Sequence, residues 1–127
     1  MKITIPGNPF SQKRHRTNGH RRYDPSAKDK KTIRKQLLPI KPPRPLESNL
    51  SVTIEAHFQT PKSWSKKKQK EVEGSYRPKN PDFDNISKIY SDAMNGYIYK
   101  DDRQIVHGQV VKYYSMEPKT VIIISEL

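Results

Sequence analysis

The sequence predicts a single small α+β domain, and three observations carry that expectation. The chain has 127 residues, which fits one compact domain with little length to spare for a second. From Ser51 to Gln59, Val52, Ile54, Ala56 and Phe58 fall on alternate positions, the period of a half-buried strand. Ile86, Ile89, Tyr90 and Ala93 recur at helical spacing, the stripe of an amphipathic helix. Strand and helix signals are mixed along the chain with short connections, so a sheet covered on one face is expected.

Each element has its own local reason. Lys2 to Ile5 reads as a first strand stopped by Pro6-Gly7, a turn-forming pair. Ser11 to Asp24 reads as a long, polar, basic loop. Pro25 to Leu38 reads as a helix, because Pro25 suits a first turn and Pro39 closes the run. Lys41 to Pro45 (KPPRP) is a stiff, extended connector. Ser65 to Glu73 is a short Lys-rich helix ended by Gly74. The helix bearing the Ile86 stripe can be capped by Asp84 and stopped by Asn95-Gly96. Tyr97 to Tyr99, Gln104 to Tyr114 and Thr120 to Ser125 read as strands, and no internal repeat is present.

Composition narrows the function. Twenty-five Lys and Arg against thirteen Asp and Glu give a net charge of +12 and a pI near 9.9. That excess favours a polyanionic partner, and nucleic acid leads. No apolar run approaches the roughly 18 to 20 residues needed to span a bilayer, and MKITIPGNPF lacks the apolar stretch of a signal peptide. A membrane partner is not expected, and the cytoplasm is. The absence of cysteine excludes disulfides, a thiol nucleophile and any zinc site built on Cys. His15, His20, His57 and His107 are scattered without the spacing of a helical metal site, and each reads as a surface or loop residue.

The charges are segregated. Thirteen Lys and Arg lie between Met1 and Leu46, opposed only by Asp24 and Asp29, whereas five of the seven aspartates lie between Asp82 and Asp102. Asp82 and Asp84 are two apart, and in an extended segment both carboxylates would face one cation. Asp101 and Asp102 would return to the same place if a Tyr97–Tyr99 strand paired beside Asp82. Clustered oxygen donors suit Mg²⁺ or Mn²⁺, ions that activate water against a phosphodiester. Lys88 lies one turn after Asp84, opposite the apolar stripe, where it could neutralise charge growing on a phosphate. The same residues equally fit a helix cap, an i,i+4 pair between Lys88 and Asp92, and an Asp-Asp turn.

The pattern Asp82-x-Asp84-Asn85 with Lys88, then Asp92-Ala93-Met94-Asn95-Gly96, then Asp101-Asp102-x-Gln104-Ile105, resembles the RusA family of Holliday junction resolvases. The stretches ITIPGNPFSQKRHR and PKSWSKKKQ are similar to that family too. The resemblance implies a mixed sheet packed with helices. It also implies a Mg²⁺-dependent homodimeric endonuclease (Mn²⁺ being possible) that makes paired, symmetric nicks across four-way junctions in DNA recombination and repair, in a phage or prophage setting by family habit. It makes Asp82, Asp84 and Asp102 the metal ligands, with Asp101 the alternative member of its pair, and Lys88 the essential lysine.

Two basic stretches are candidates for DNA contact. One is Lys13, Arg14, Arg16, Arg21 and Arg22 with Tyr23. The other is the lysine run that includes Lys66 and Lys67 and flanks Trp64. Such residues make phosphate contacts that position a duplex without reading its sequence, and Trp64 is expected to pack rather than to stack on a base. A four-way junction is near two-fold symmetric, so a C2 dimer would supply two matched sites. The rival reading is a non-cutting protein that binds branched DNA through the same face. A third is a phosphodiesterase acting on flaps or forks. Carboxylates that repel phosphate argue for cutting over mere binding.

Overall fold

A computed structural model describes all residues except His15 and His20; at 16–18, 21 and 22 it describes the backbone alone. The architecture is α+β, with a mixed four-stranded sheet and three α-helices. The chain forms two compact units. One comprises Met1–Pro9, Ser48–Asn80 and Ile105–Leu127, and the other Phe10–Glu47 and Pro81–Gln104.

The first unit is built on the sheet. Strands β1 (Lys2–Pro6), β4 (Leu50–Gln59), β5 (Ile105–Ser115) and β6 (Lys119–Glu126) lie in the order β1-β6-β4-β5. Only β4 and β5 run parallel. Strand β4 shows the alternation read from its sequence: Leu50, Val52, Ile54, Ala56 and Phe58 are buried, and the intervening residues are half-buried. Beside it β6 buries Val121, Ile122 and Ile124. Consecutive buried residues point to alternate faces of β6, so both faces of this strand are covered there. Helix α2 (Lys66–Val72) begins at Ser65, whose hydroxyl accepts the Lys68 N–H, and Gly74 follows it at φ +76, a left-handed exit that disfavours any residue with a Cβ.

The second unit holds α1 (Ala27–Leu37) and α3 (Phe83–Met94) packed together. Their contact buries Ile33 and Leu37 against the stripe of Ile86, Ile89, Tyr90, Ala93 and Met94. Helix α1 starts at Ala27, two residues inside the expected boundary, and a single 3-10 turn over Leu38–Ile40 carries Pro39. The stretch expected as an unbroken loop instead contains a short hairpin, β2 (Arg16–Asn18) with β3 (Arg21–Tyr23). Three-residue strands are too short to show a period. Among the described residues no helix is long and apolar enough to cross a membrane.

The strand expected over Tyr97–Tyr99 is a turn. Gly96 sits at φ +73, and the N–H groups of Tyr97 and Ile98 both return to the Met94 carbonyl, so the chain keeps folding back where a strand would extend. Tyr99 forms isolated bridges to Leu46 and Asn95, and its ring is fully buried. Of these β-forming residues, Ile98 and Tyr99 are fully buried behind α3, and Tyr97 is half-buried with Lys41 over its ring.

Ile122 is fully buried in β6, one of the two inner strands. Ile122→Ala should therefore lower unfolding free energy by about 2–5 kcal/mol, as large-to-small core changes do. Val106→Ala, at a residue 60% exposed, should stay within about 0.5 kcal/mol. Urea midpoints of the two variants compare them directly.

Candidate active site

Helix α3 begins at Asp82, not at Asp84. Asp82 has extended backbone, and its Oδ1 accepts the Asn85 N–H at 3.0 Å. It thus satisfies a donor that the helix leaves open. Asp84 lies in the first turn, where the helix dipole favours an anion. The two carboxylates are therefore not side by side on an extended segment. Both residues are exposed at the mouth of the helix.

The segment before α1 is bonded to α3. The Gln12 N–H donates to the Asn85 carbonyl at 2.8 Å, and the Phe10 N–H donates to the Tyr90 hydroxyl at 2.9 Å. On the polar face of α3, Asp92 Oδ2 lies 3.5 Å from Lys88 Nζ and 3.4 Å from Lys30 Nζ of α1. Lys30 Nζ is also 2.6 Å from Asp24 Oδ2. Asp24 Oδ1 accepts from Gln12 Nε2 and from the Ser26 N–H, each at 2.9 Å. Burial works to raise the Asp24 pKa, but Lys30, the Ser26 N–H and Gln12 outweigh it and hold the carboxyl far below its usual range. An open cleft of about 500 Å³ is lined by Asp24, Ala27, Lys30, Lys31, Arg34, Asp92 and Asn95. At its far end Arg34 Nε donates to the Ala93 carbonyl at 2.9 Å, one of the acceptors left open at a helix C-terminus.

Asp101 and Asp102 sit at a short 3-10 turn (Asp102–Gln104) after the Tyr99 anchor. Gln104 fixes this turn, accepting the Asp101 N–H through Oε1 and donating through Nε2 to the Leu46 carbonyl, both at 2.8 Å. The Arg103 N–H holds Asp101 below the usual carboxylate range against its desolvation. Asp102 is pushed the other way. Burial raises it first, then the charges of Asp101 and Asp92, while Lys88 opposes them. Tyr99, raised well above the tyrosine range by burial and by Asp102, Asp92 and Asp101, stays neutral and donates to the Ser91 carbonyl at 2.7 Å.

The structure thus brings Lys88, Asp92, Asp101 and Asp102 within electrostatic reach of one another, and leaves Asp82 and Asp84 at the start of the helix. Among the described residues no three acidic or histidine side chains close around a point where a metal would sit. Sequence reasoning missed Lys30, Asp24 and Gln12, and saw Asp92 only as a partner for Lys88. One signal was available: Lys30 stands three residues before Ile33 and seven before Leu37, a lysine in register with an apolar stripe.

The remaining candidates are dispersed. Lys13 lies 3.7 Å from Asp29 with its side chain 60% exposed, and Arg14 is exposed. The side chains of Arg16, Arg21 and Arg22 lie outside the described residues, as do His15 and His20. Lys66 and Lys67 are exposed on α2. Trp64 packs against Tyr114 at 5.6 Å, with Lys68 Nζ 3.8 Å above its ring. His57 is not a loop residue: it lies on β4, stacked 4.8 Å from Tyr113. Burial, then the charge of Lys119, lowers its pKa.

A sequence profile for the family described as Endodeoxyribonuclease RusA matches residues 6–125, a span that includes every residue of this site. The chain belongs to the RusA endodeoxyribonuclease family. It is also 36% identical over 137 aligned positions to a protein of Bacillus subtilis (strain 168) named "Uncharacterized protein YqaN", covering 100% of this chain and 96% of that one. In this RusA-family chain the Asp24–Lys30 pair gives a testable pH dependence. A depressed folded pKa contributes stability above the ordinary value near 3.8 that is lost as pH falls through the folded value. Asp24→Asn should destabilise by about 1–3 kcal/mol at neutral pH, and its deficit against wild type should shrink steadily below about pH 4. Urea unfolding across pH measures this, and a deficit that does not change with pH would break the assignment.

Proposed function

We propose that this chain is a Mg²⁺-dependent, structure-selective endonuclease that resolves four-way DNA junctions by paired, symmetric nicks, working as a homodimer in the cytoplasm in recombination and repair. The observation that carries the reading is the family match across residues 6–125. The electrostatics of Asp102 support it: this carboxyl sits in the negative potential of Asp101 and Asp92, a strain that a bound cation would relieve. Asp82, Asp84 and Asp102, with Asp101 the alternative member of its pair, are the all-oxygen donors that would hold Mg²⁺, with Mn²⁺ an alternative. Such an ion lowers the pKa of a bound water and stabilises the departing oxygen.

The chain's own residues supply the rest. In the hydrolysis a water oxygen bonds to phosphorus, the bond to the leaving sugar oxygen breaks, and that oxygen gains a proton. Lys88 carries its ammonium toward this chemistry from one turn inside α3, where a fixed cation offsets charge building on the phosphate oxygens. Lys13, Arg14, Arg16, Arg21 and Arg22, with Lys66 and Lys67, hold the duplex arms through phosphates. Two-fold symmetry of the junction is met by two copies of the chain.

Purified protein with a labelled four-way junction and a linear duplex, in Mg²⁺ or EDTA, tests the reading. Symmetric nicks on the junction alone, lost in EDTA, are expected; binding without cuts in either metal would favour a junction-binding protein. Asp82→Asn should lower the cleavage rate by on the order of 10³-fold and leave junction binding intact. Asparagine caps helices as well as aspartate does, so the melting temperature should hold. Replacing Arg14 and Arg16 together by Ala should weaken binding to every DNA shape. It should flatten the log–log salt dependence by roughly 0.9 per lost phosphate contact. An unchanged slope would remove this segment from the interface.

A further inference from the structure

We propose that Lys30 is a positioning residue for Lys88, acting through Asp92. Lys30 takes up part of the charge of Asp92, so that the Lys88 ammonium, 3.5 Å from the same oxygen, is held less tightly on its own helix and is more easily drawn outward. The inference rests on the role given above to Lys88.

Three observations carry it. First, a single carboxylate oxygen serves both lysines, at 3.4 Å to Lys30 and 3.5 Å to Lys88. Without Lys30, the i,i+4 pair of Asp92 and Lys88 would lose its competitor and draw the two side chains closer along the helix. Second, the two ammonium groups are not equivalent. The Lys30 side chain is 12% exposed and that of Lys88 is 52% exposed. Lys30 is pinned from behind by Asp24 at 2.6 Å, itself held by Gln12 and Ser26. Like charges drawn to one oxygen repel, and the more exposed ammonium is the one more easily drawn off. Third, the position is expensive for a lysine. Lys30 lies on the side of α1 that buries Ile33 and Leu37, and a charge is kept from water only where it is paired. An apolar residue there would tie α1 to α3 equally well, and Arg34 already bonds the two helices at the Ala93 carbonyl. What an apolar residue could not do is neutralise Asp92.

The geometry fixes the signs of the test. Lys30→Met leaves Lys88 as the remaining cation paired with Asp92 among the described residues, so Lys88 is drawn back along α3. Single-turnover cleavage of a saturated junction complex should fall about tenfold, with gel-shift affinity and melting above the assay temperature retained. Lys30→Arg keeps the charge and should cut within about threefold of wild type. Adding Asp92→Asn to Lys30→Met removes the carboxylate that recaptures Lys88 and should restore most of the lost rate, a non-additivity that loss of packing alone does not produce. A second readout needs neither metal nor DNA. Acylation of Lys88 by an amine-reactive ester, followed by peptide mass spectrometry, should slow in Lys30→Met and recover in the double variant. If Lys30→Met does not fold, Asp92→Asn alone decides: Lys88 labelling should equal or exceed that of the wild-type protein. The proposal is overturned if Lys30→Met leaves Lys88 labelling unchanged, or if adding Asp92→Asn restores neither labelling nor rate. If instead Lys88→Ala cuts junctions as the wild type does, the catalytic role of Lys88 fails while the labelling still reports on Lys30.

Discussion

One oxygen atom, Asp92 Oδ2, lies between the ammonium groups of Lys30 and Lys88, and the second unit is arranged so that these three charges stay together. Asp92 is carried by α3 at the border of the apolar stripe of Ile86, Ile89, Tyr90, Ala93 and Met94. Burial of that stripe fixes the rotation of the helix and so aims Asp92 at α1. Lys30 is carried by α1 on the side of Ile33 and Leu37, and it meets Asp92 because the same apolar contact sets the rotation of α1. The ion pairs therefore do not hold the helices together in the first instance. Apolar packing does that, and the charges are where packing leaves them. Their energetic weight lies in the penalty for breaking the set: one partner removed leaves a partly buried charge unmatched, whereas an intact set contributes little net stability.

The same logic explains why a chain with a net charge of +12 gathers five of its seven aspartates between Asp82 and Asp102. Each is given something locally positive or a helix start. Asp82 takes an open N–H of α3, Asp84 takes the first-turn dipole, Asp92 takes two lysines, and Asp101 takes the Arg103 N–H and guanidinium. Asp102 is served worst. It has burial and two neighbouring carboxylates against it and only Lys88 in its favour.

Much of this was legible in the sequence, and the failures have physical causes. The alternation in β4 and the stripe in α3 are long, regular and buried on one side, so period alone located them. Acidic spacing from Asp82 to Asp102 marked the window, but not how it folds. Tyr97, Ile98 and Tyr99 carry strong strand preference, yet Gly96 and the Met94 carbonyl turn the chain back on itself. Local hydrogen bonding overrode propensity there, as it does where a helix ends in a left-handed residue. Asp84 looked like the cap because it adjoins the apolar stripe; the helix begins two residues earlier, since extended backbone at Asp82 lets its carboxylate reach the Asn85 N–H. Lys30 and Asp24 were invisible as a pair with Asp92 because 62 residues separate Lys30 from its partner. No local pattern encodes a contact of that separation.

The balance around Asp102 also bears on why a lysine, and not an arginine, stands at position 88. Asp92 draws its side chain along the helix and Asp102 attracts it electrostatically, so the group at this place answers to more than one anion. An arginine would meet a carboxylate with two parallel donors and commit its plane to that partner. A lysine ammonium is a compact charge on a flexible stem, with donors that rotate and no preferred plane. It can lean toward whichever anion is least well matched. On the function proposed above, a phosphate is such an anion, and a lysine could turn to it without first breaking a bidentate bond. A half-buried lysine and an exposed one on the same carboxylate oxygen are thus complementary: the first shares the charge of Asp92, and the second is the one that can leave it.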